Sequence, residues 1–382
     1  MNHHPAPNGT KKVRVILRVL FVVFTFCYLY YLQGDLLALT QKRLSHGPAT
    51  YHPLAGALVL TALLTLLQYF VARHIRMAHA LHAITYAPSV ILIGLITSAT
   101  DSLSVTWMVS SIILLCLCGG ACWISRQIDE SDTPASARLI RIWMPNLWIF
   151  ILLFTFVGIT GNTDECLHYE LKVGRLLNEK RHQQALEIGK KSLTTSRRLE
   201  ALRAIAMNRE IGNKLFEYPV LHGSYSLMLY PADSARTLYT PDSLYRYFRC
   251  YPRNATPTRY YHYIATHPHT TAHSDIAREF YLCALLLDKQ IDRFALEISD
   301  FYNLSDSTLQ LPKYYAQALT LYRHIRTHPV ITYEDAAMTE NLNDFLRTAR
   351  STTIPNTRKS VTRLEYGNTY WWYYFFQPVC RP

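Results

Sequence analysis

The sequence predicts an all-α protein in two parts: a multi-span transmembrane helical domain over residues 1–161, and an α-helical soluble domain over residues 162–382. Three observations carry this. Residues 1–161 hold 11 Lys/Arg and 5 Asp/Glu, whereas residues 162–382 hold 28 and 22. The 382-residue chain is 49% hydrophobic and only 17% charged, with a mean hydropathy of +0.01. Soluble globular chains carry about 25% charged residues. Finally, the second part shows helical period, and proline is absent from 146 to 218.

A spanning helix needs about 20 mostly apolar residues. Five stretches qualify: Val13–Leu32, Leu54–Ala72, Leu81–Thr100, Val105–Ser125 and Ile142–Gly161. The third opens weakly, with His82 and Pro88. Their only cations, Arg14 and Arg18, sit at the start of the first stretch, where long side chains can reach the headgroups. The tyrosines that end this stretch (Tyr28, Tyr30, Tyr31) read as an interfacial belt and an uncleaved anchor. Beyond it, Leu36, Leu37, Leu39 and Leu44 share much of one helical face. That face suits either a surface-lying helix or a packed connector.

Cations are retained on the cytoplasmic side of a membrane. With the N-terminus inside, nine fall on inner segments: Lys11, Lys12, Arg14, Arg18, Arg73, Arg76, Arg126, Arg138 and Arg141. Only Lys42 and Arg43 fall outside. Five spans then place residues 162–382 outside the cytoplasm, which for a protein of a bacterial inner (plasma) membrane would be the periplasm.

In the soluble part, helical period runs over Asp164–Met207, Ser274–Leu287, Ile291–Tyr302, Pro312–Arg326 and Tyr333–Arg350. Ser274 and Asp275 suit an N-cap, and Pro312 suits a first turn. Between His222 and Thr271 five prolines (231, 241, 252, 257, 268) limit the chain to short helices such as Asp242–Tyr251. An internal echo stands out: RLLNEKRHQQALEI (175–188) aligns with LLLDKQIDRFALEI (285–298). Each half reads as a helix, a polar turn and a second helix whose Ala allows close approach.

That helix pair resembles the tetratricopeptide repeat, over about 45 residues from Asn162 and about 50 from Ser274. The spacing of 110 is not a tandem 34-residue period, so divergent repeats flanking an insert are expected. The segments LQGDLLALTQKRLSHG (32–47), HALHAITYAPSVILIGLITS (79–98) and NTYWWYYFF (368–376) also resemble a group of uncharacterised bacterial inner-membrane proteins with N-terminal spans and a repeat-like outer domain. This resemblance implies architecture and brings no activity.

No catalytic, cofactor-binding or metal-ligating residue is assigned. Cys116, Cys118 and Cys122 beside Gly119 and Gly120 read as small residues that let helices approach. The histidines 262, 267, 269 and 273 could converge on a metal, but solvated loop histidines explain them more simply. Asp101 and Asp35 are a thin acidic endowment at the membrane faces. G-x-S-x-G, H-E-x-x-H and P-loop patterns are absent. Positive charge (+12) fits anionic lipid headgroups, and no nucleic-acid partner is expected. Cys166, Cys250, Cys283 and Cys380 permit up to two disulfides without favouring any pairing. The seven aromatics Tyr370–Phe376 are too apolar to trail in solvent; they should dock on the last helices, the alternative being Trp371 and Trp372 at the headgroup level of the membrane.

The expected function is a membrane-anchored interaction or scaffold protein of the cell envelope, without evident catalysis. Its partners would be membrane lipid and envelope proteins. The alternative is a membrane enzyme or transport component acting on envelope glycan or lipid.

Overall fold

The computed structural model describes residues 8–45, 51–75, 79–98, 105–125, 135–253, 256–267, 271–304, 309–351 and 354–379. Among these the chain is all-helical, without strands. It divides into two units, Met1–Asp164 and Glu165–Pro382.

The first unit contains α1 (Asn8–Cys27), α2 (Gly34–Leu44), α3 (Pro53–His74), α4 (Ala87–Ser98), α5 (Val105–Ser125) and α6 (Ala135–Thr160). Four segments are long and apolar enough to cross a membrane: Lys11–Leu32, Pro53–His74, Leu81–Ser98 and Ile142–Thr160. The remaining expected span, Val105–Ser125, forms α5 over those bounds, but several of its side chains lie outside the described residues. Asp101 lies outside them as well.

Leu81–Ser98 is 61% buried, against 22–28% for the other three, so it runs through the middle of the unit. It opens as a 3-10 helix, His79–Tyr86, because Pro88 in the first turn of α4 has no N–H to continue an α-ladder backwards. Polar side chains stitch this central segment in place. Asn146, fully buried beside Pro145 of α6, accepts from Ala83 N at 2.7 Å and donates to Ile142 O at 2.7 Å. Gln68 of α3 donates to Thr85 at 3.1 Å, and Ser89 donates to Leu64 O at 2.9 Å. Without water, every such backbone group needs an internal partner.

One sequence expectation changes here, and one open alternative is decided. Tyr28 is not part of an interfacial belt. The helix widens to a π-turn over Tyr28–Leu32, turning Tyr28 inward to donate to Thr97 at 3.4 Å, while Tyr31 stays exposed. In α2, Leu36, Leu37 and Leu39 are buried within the unit and Leu44 is exposed, so α2 is a packed connector.

The second unit contains α7 (Glu165–Asn178), α8 (His182–Glu187), α9 (Arg197–Met207), α10 (Ile211–Lys214), α11 (Pro241–Phe248) and α12 (Pro257–Thr266). It continues with α13 (Thr271–Leu287), α14 (Ile291–Glu297), α15 (Lys313–Ile325), α16 (Ala336–Arg350), α17 (Pro355–Tyr366) and α18 (Tyr370–Phe376). The centre is α13, whose Leu282–Leu287 run is wholly buried, as a helix apolar on every face must be. It packs against α10, α11, α12 and α14. Because α13 starts at Thr271, Ser274 lies inside the helix and is not its cap. Pro312 immediately precedes α15, its carbonyl accepting from Tyr315 N at 2.9 Å.

The two echoing segments fold as the same turn. Lys180 N donates to Leu177 O and Arg181 N to Leu176 O; Lys289 N donates to Leu286 O and Gln290 N to Leu285 O. This pair of hydrogen bonds around a left-handed residue is the Schellman ending, usually built on glycine. Here it falls on Lys180 (φ 58°) and Lys289 (φ 55°). The two lysines are 109 positions apart, so the pairs repeat one residue out of step with the alignment of letters. Packing shows the same shift: Leu186 is 3% exposed, whereas Leu296, its partner by letters, is 53% exposed. A third such turn, at Arg249 (φ 49°), ends α11.

Tyr370–Phe376 forms α18, capped by the Thr369 hydroxyl accepting from Trp372 N at 3.2 Å. It docks within the second unit, with Tyr370, Trp371, Trp372 and Tyr373 all buried. Gln317 of α15 accepts from Tyr370 N at 2.8 Å and, through its backbone carbonyl, from Trp371 Nε1 at 2.9 Å. Lys289 reaches across to the carbonyls of Tyr374 and Gln377, both at 2.7 Å.

Candidate functional site

Most of the buried carboxylates and hydroxyls that the second unit brings together are engaged by the fold. Glu200, Ser226 and His222 bring together the residue types of a hydrolytic triad, a grouping that distance in sequence concealed. Their order is unsuited to catalysis. Glu200 accepts from His222 Nδ1 at 3.1 Å, from the Ser226 hydroxyl and from the Leu221 and His222 amides. A nucleophile needs its hydroxyl on the imidazole, with the carboxylate behind. Here the carboxylate holds both, and Ser226 is buried. Glu279 is likewise engaged, accepting from Tyr302 at 2.5 Å and Tyr315 at 2.8 Å. Arg203, fully buried, donates to the carbonyls of Ile188 and Gly189 and lies 5.2 Å over the Tyr218 ring. Burial lowers the pKa of Arg203 and pushes Tyr218 up to about 12.

The residues singled out from sequence are dispersed. His262 packs on Tyr281, ring centres 4.7 Å apart, and His267 stacks on Tyr263 at the exposed end of α12. His269 and the side chain of His273 lie outside the described residues. Among the described residues no three His, Cys, Asp or Glu side chains are grouped to hold a metal. Cys250 and Cys283 are free thiols, and the Cys166 thiol donates to Glu170 at 3.8 Å; Cys380 and the side chains of Cys118 and Cys122 lie outside the described residues. Tyr260 and Tyr261 are interhelical filler, donating to Cys250 O at 2.8 Å and Leu227 O at 2.6 Å.

The described residues of the second unit also form recesses, two of which bear on function. One, of about 470 Å³, lies behind the α7–α8 turn, between α9, α11 and α13. The other, of about 610 Å³, is a groove between the Lys190–Leu193 loop, the Phe216–Leu221 segment and the α17–α18 corner. Trp372 forms its inner wall, with Lys359 Nζ at 5.8 Å and Arg363 at 5.3 Å from the ring. Glu217 and Glu365 add acidic groups to the lining. Leu193 and Leu364, which also line it, are 65% and 88% exposed. Sequence periodicity marks neither recess, because each draws on segments far apart in the chain.

Among the described residues these features define an all-helical protein with four helices able to cross a membrane and a separate helical unit. Residues 253–377, from just before α12 to just past α18, are similar to a family of unknown function (DUF6057). No curated protein and no solved structure matches the chain.

Proposed function

We propose that the protein is a membrane-anchored interaction or scaffold protein of the bacterial cell envelope. Its second unit, a divergent tetratricopeptide-like helical domain outside the cytoplasm, engages a partner polypeptide. The observation that carries this reading is the groove at the α17–α18 corner. Exposed leucines and charges of both signs around an aromatic wall suit a segment of another protein better than a small cofactor. The repeated Schellman helix pairs support the repeat-like reading, since stacked pairs create extended binding surfaces.

The test is crosslinking of the full chain in cells, affinity purification and mass spectrometry, alongside Leu364→Glu, an exposed change at the groove. Stoichiometric partners captured by the parent and lost with Leu364→Glu are expected. Equal capture by both, or none, removes the groove reading. Turnover of envelope glycan or lipid by the purified protein, with no partner captured, would put the enzyme or transport alternative in its place. A reporter active only outside the cytoplasm, fused after Pro382, should be active; activity of a cytoplasmic reporter there refutes the orientation.

A further inference from the structure

We propose that the recess behind the α7–α8 turn is a binding site for a single-chain anionic amphiphile of the fatty-acid class. This proposal is independent of the scaffold reading and of the α17–α18 groove. The floor is apolar and buried: Leu177, Leu244, Phe248, Ile276 and Phe280. Polar groups gather at the rim, where Lys180, His182 and Asn208 face the same space. A volume of about 470 Å³ falls in the lower part of the roughly 300–1,000 Å³ range of ligand pockets, a size for one acyl chain.

Three features at the rim point to a ligand with a negative head. His182 Nδ1 is shielded from solvent without a hydrogen-bond partner and lines this space, so it has a hydrogen bond to offer there. Lys180 has no carboxylate pairing with it among the described residues. The adjacent Glu179 is already held by Arg175 at 3.2 Å and Arg181 at 3.0 Å. The rim therefore carries unneutralised positive charge over an apolar floor. Asn208 adds backbone strain: its φ of 52° and ψ of −123° lie in a region that favours glycine. Such strain clusters where a fold holds side chains for a ligand. In the bound state the tail covers the floor residues. The carboxylate takes the Lys180 ammonium and a hydrogen bond donated by His182 in its Nδ1–H form.

The test uses the full chain in phosphatidylcholine nanodiscs, a diazirine analogue of palmitate, irradiation and peptide mapping. Labelling is expected in peptides covering 177–182, 239–248 and 276–280. It should be competed by palmitate and spared by its methyl ester. Ile276→Trp, which fills the floor, should cut this labelling at least tenfold. Lys180→Gln, an exposed change that leaves folding intact, should weaken palmitate competition several-fold. Should Ile276→Trp fail to fold, Lys180→Gln and the ester comparison decide. Labelling confined to the membrane helices overturns the site. Equal competition by acid and ester, or parent behaviour in Lys180→Gln, overturns the anionic head.

Discussion

Replacing Trp371 with alanine should weaken the second unit far more than the same change at Phe375, one turn along the same helix. Trp371 is 1% exposed, donates its indole N–H to Gln317 O at 2.9 Å and lies 6.1 Å from Phe345. Phe375 is 45% exposed. Truncating a buried Phe or Trp costs about 3–5 kcal/mol. The lost indole bond adds about 1 kcal/mol, giving roughly 4–6 kcal/mol for Trp371→Ala. At Phe375 only about 1 kcal/mol is at stake, because much of the ring is already in water. The larger loss is comparable with the whole stability of a domain, about 5–15 kcal/mol. Pulse proteolysis of the full chain in nanodiscs across a urea series, scoring cleavage after residue 165, measures both. With about 2–3 kcal/mol per molar urea, the Trp371→Ala midpoint should fall by roughly 1.5–3 M and that of Phe375→Ala by under about 0.7 M. Equal shifts, or a Trp371→Ala midpoint within about 0.5 M of the parent, would refute the docking of α18.

Lys180→Gly should stabilise the unliganded protein by about 0.5–1 kcal/mol, since glycine relieves the left-handed residue and the exposed side chain has no ion-pair partner among the described residues. Lys289→Gly relieves the same strain but loses two hydrogen bonds from a charged donor, so the same urea series should show a net loss of about 2–4 kcal/mol. Asn146→Ala strips the Ala83 amide of its partner inside the first unit and should cost about 1–3 kcal/mol, read as a lower midpoint in denaturing-detergent titration; an unchanged midpoint would mean that another acceptor takes the amide. Cys283 is fully buried and its thiol pKa is raised by that burial, so maleimide at neutral pH should spare it in the folded protein while modifying Cys166; equal rates by mass spectrometry would contradict its burial. Asp292 has its pKa lowered by a hydrogen bond from Arg326, so its contribution is present above the unfolded carboxylate pKa near 3.9 and is lost as pH falls through the lower folded value. Arg326→Gln should therefore reduce stability at neutral pH and flatten this part of the acid limb below about pH 4, and an unchanged acid limb counts against the pair.

The helices were legible where period and proline agreed. Ile291, the expected start of a helix, opens α14, and Leu287 and Arg350 end α13 and α16 as read from the apolar spacing. The helix expected over Asp164–Met207 is broken into α7, α8 and α9, because Lys180 and Gly189 take left-handed conformations that no apolar period reports. α17 was not legible at all. Pro355 opens it, but PNTRKSVTRLEY carries a single fully buried side chain, Thr362, so no apolar stripe announces it. The echo was visible in its letters but misleading in its register. A hydrogen-bonded turn, rather than the shared ALEI, is what the two pairs have in common. Of the recess behind α7–α8, sequence supplied the apolar floor without its meaning. Leu177 and Phe280 are ordinary core positions until Asn208 and His182 are seen beside them.

The Lys289 contact also sets an order of events during synthesis. The ammonium that fixes the turn after α13 must wait for the carbonyls of Tyr374 and Gln377, 85 and 88 residues downstream. At about 5–20 residues per second, a ribosome needs roughly 4–17 s to supply them. From the synthesis of Phe345 until α18 follows, the apolar faces that α18 will cover, on α15 and around Phe345, stand open to any chaperone or membrane surface nearby. A protein assembled this way is most vulnerable to aggregation while still being made, and slowed translation through residues 290–370 should lower its yield without changing the stability of the molecules that finish.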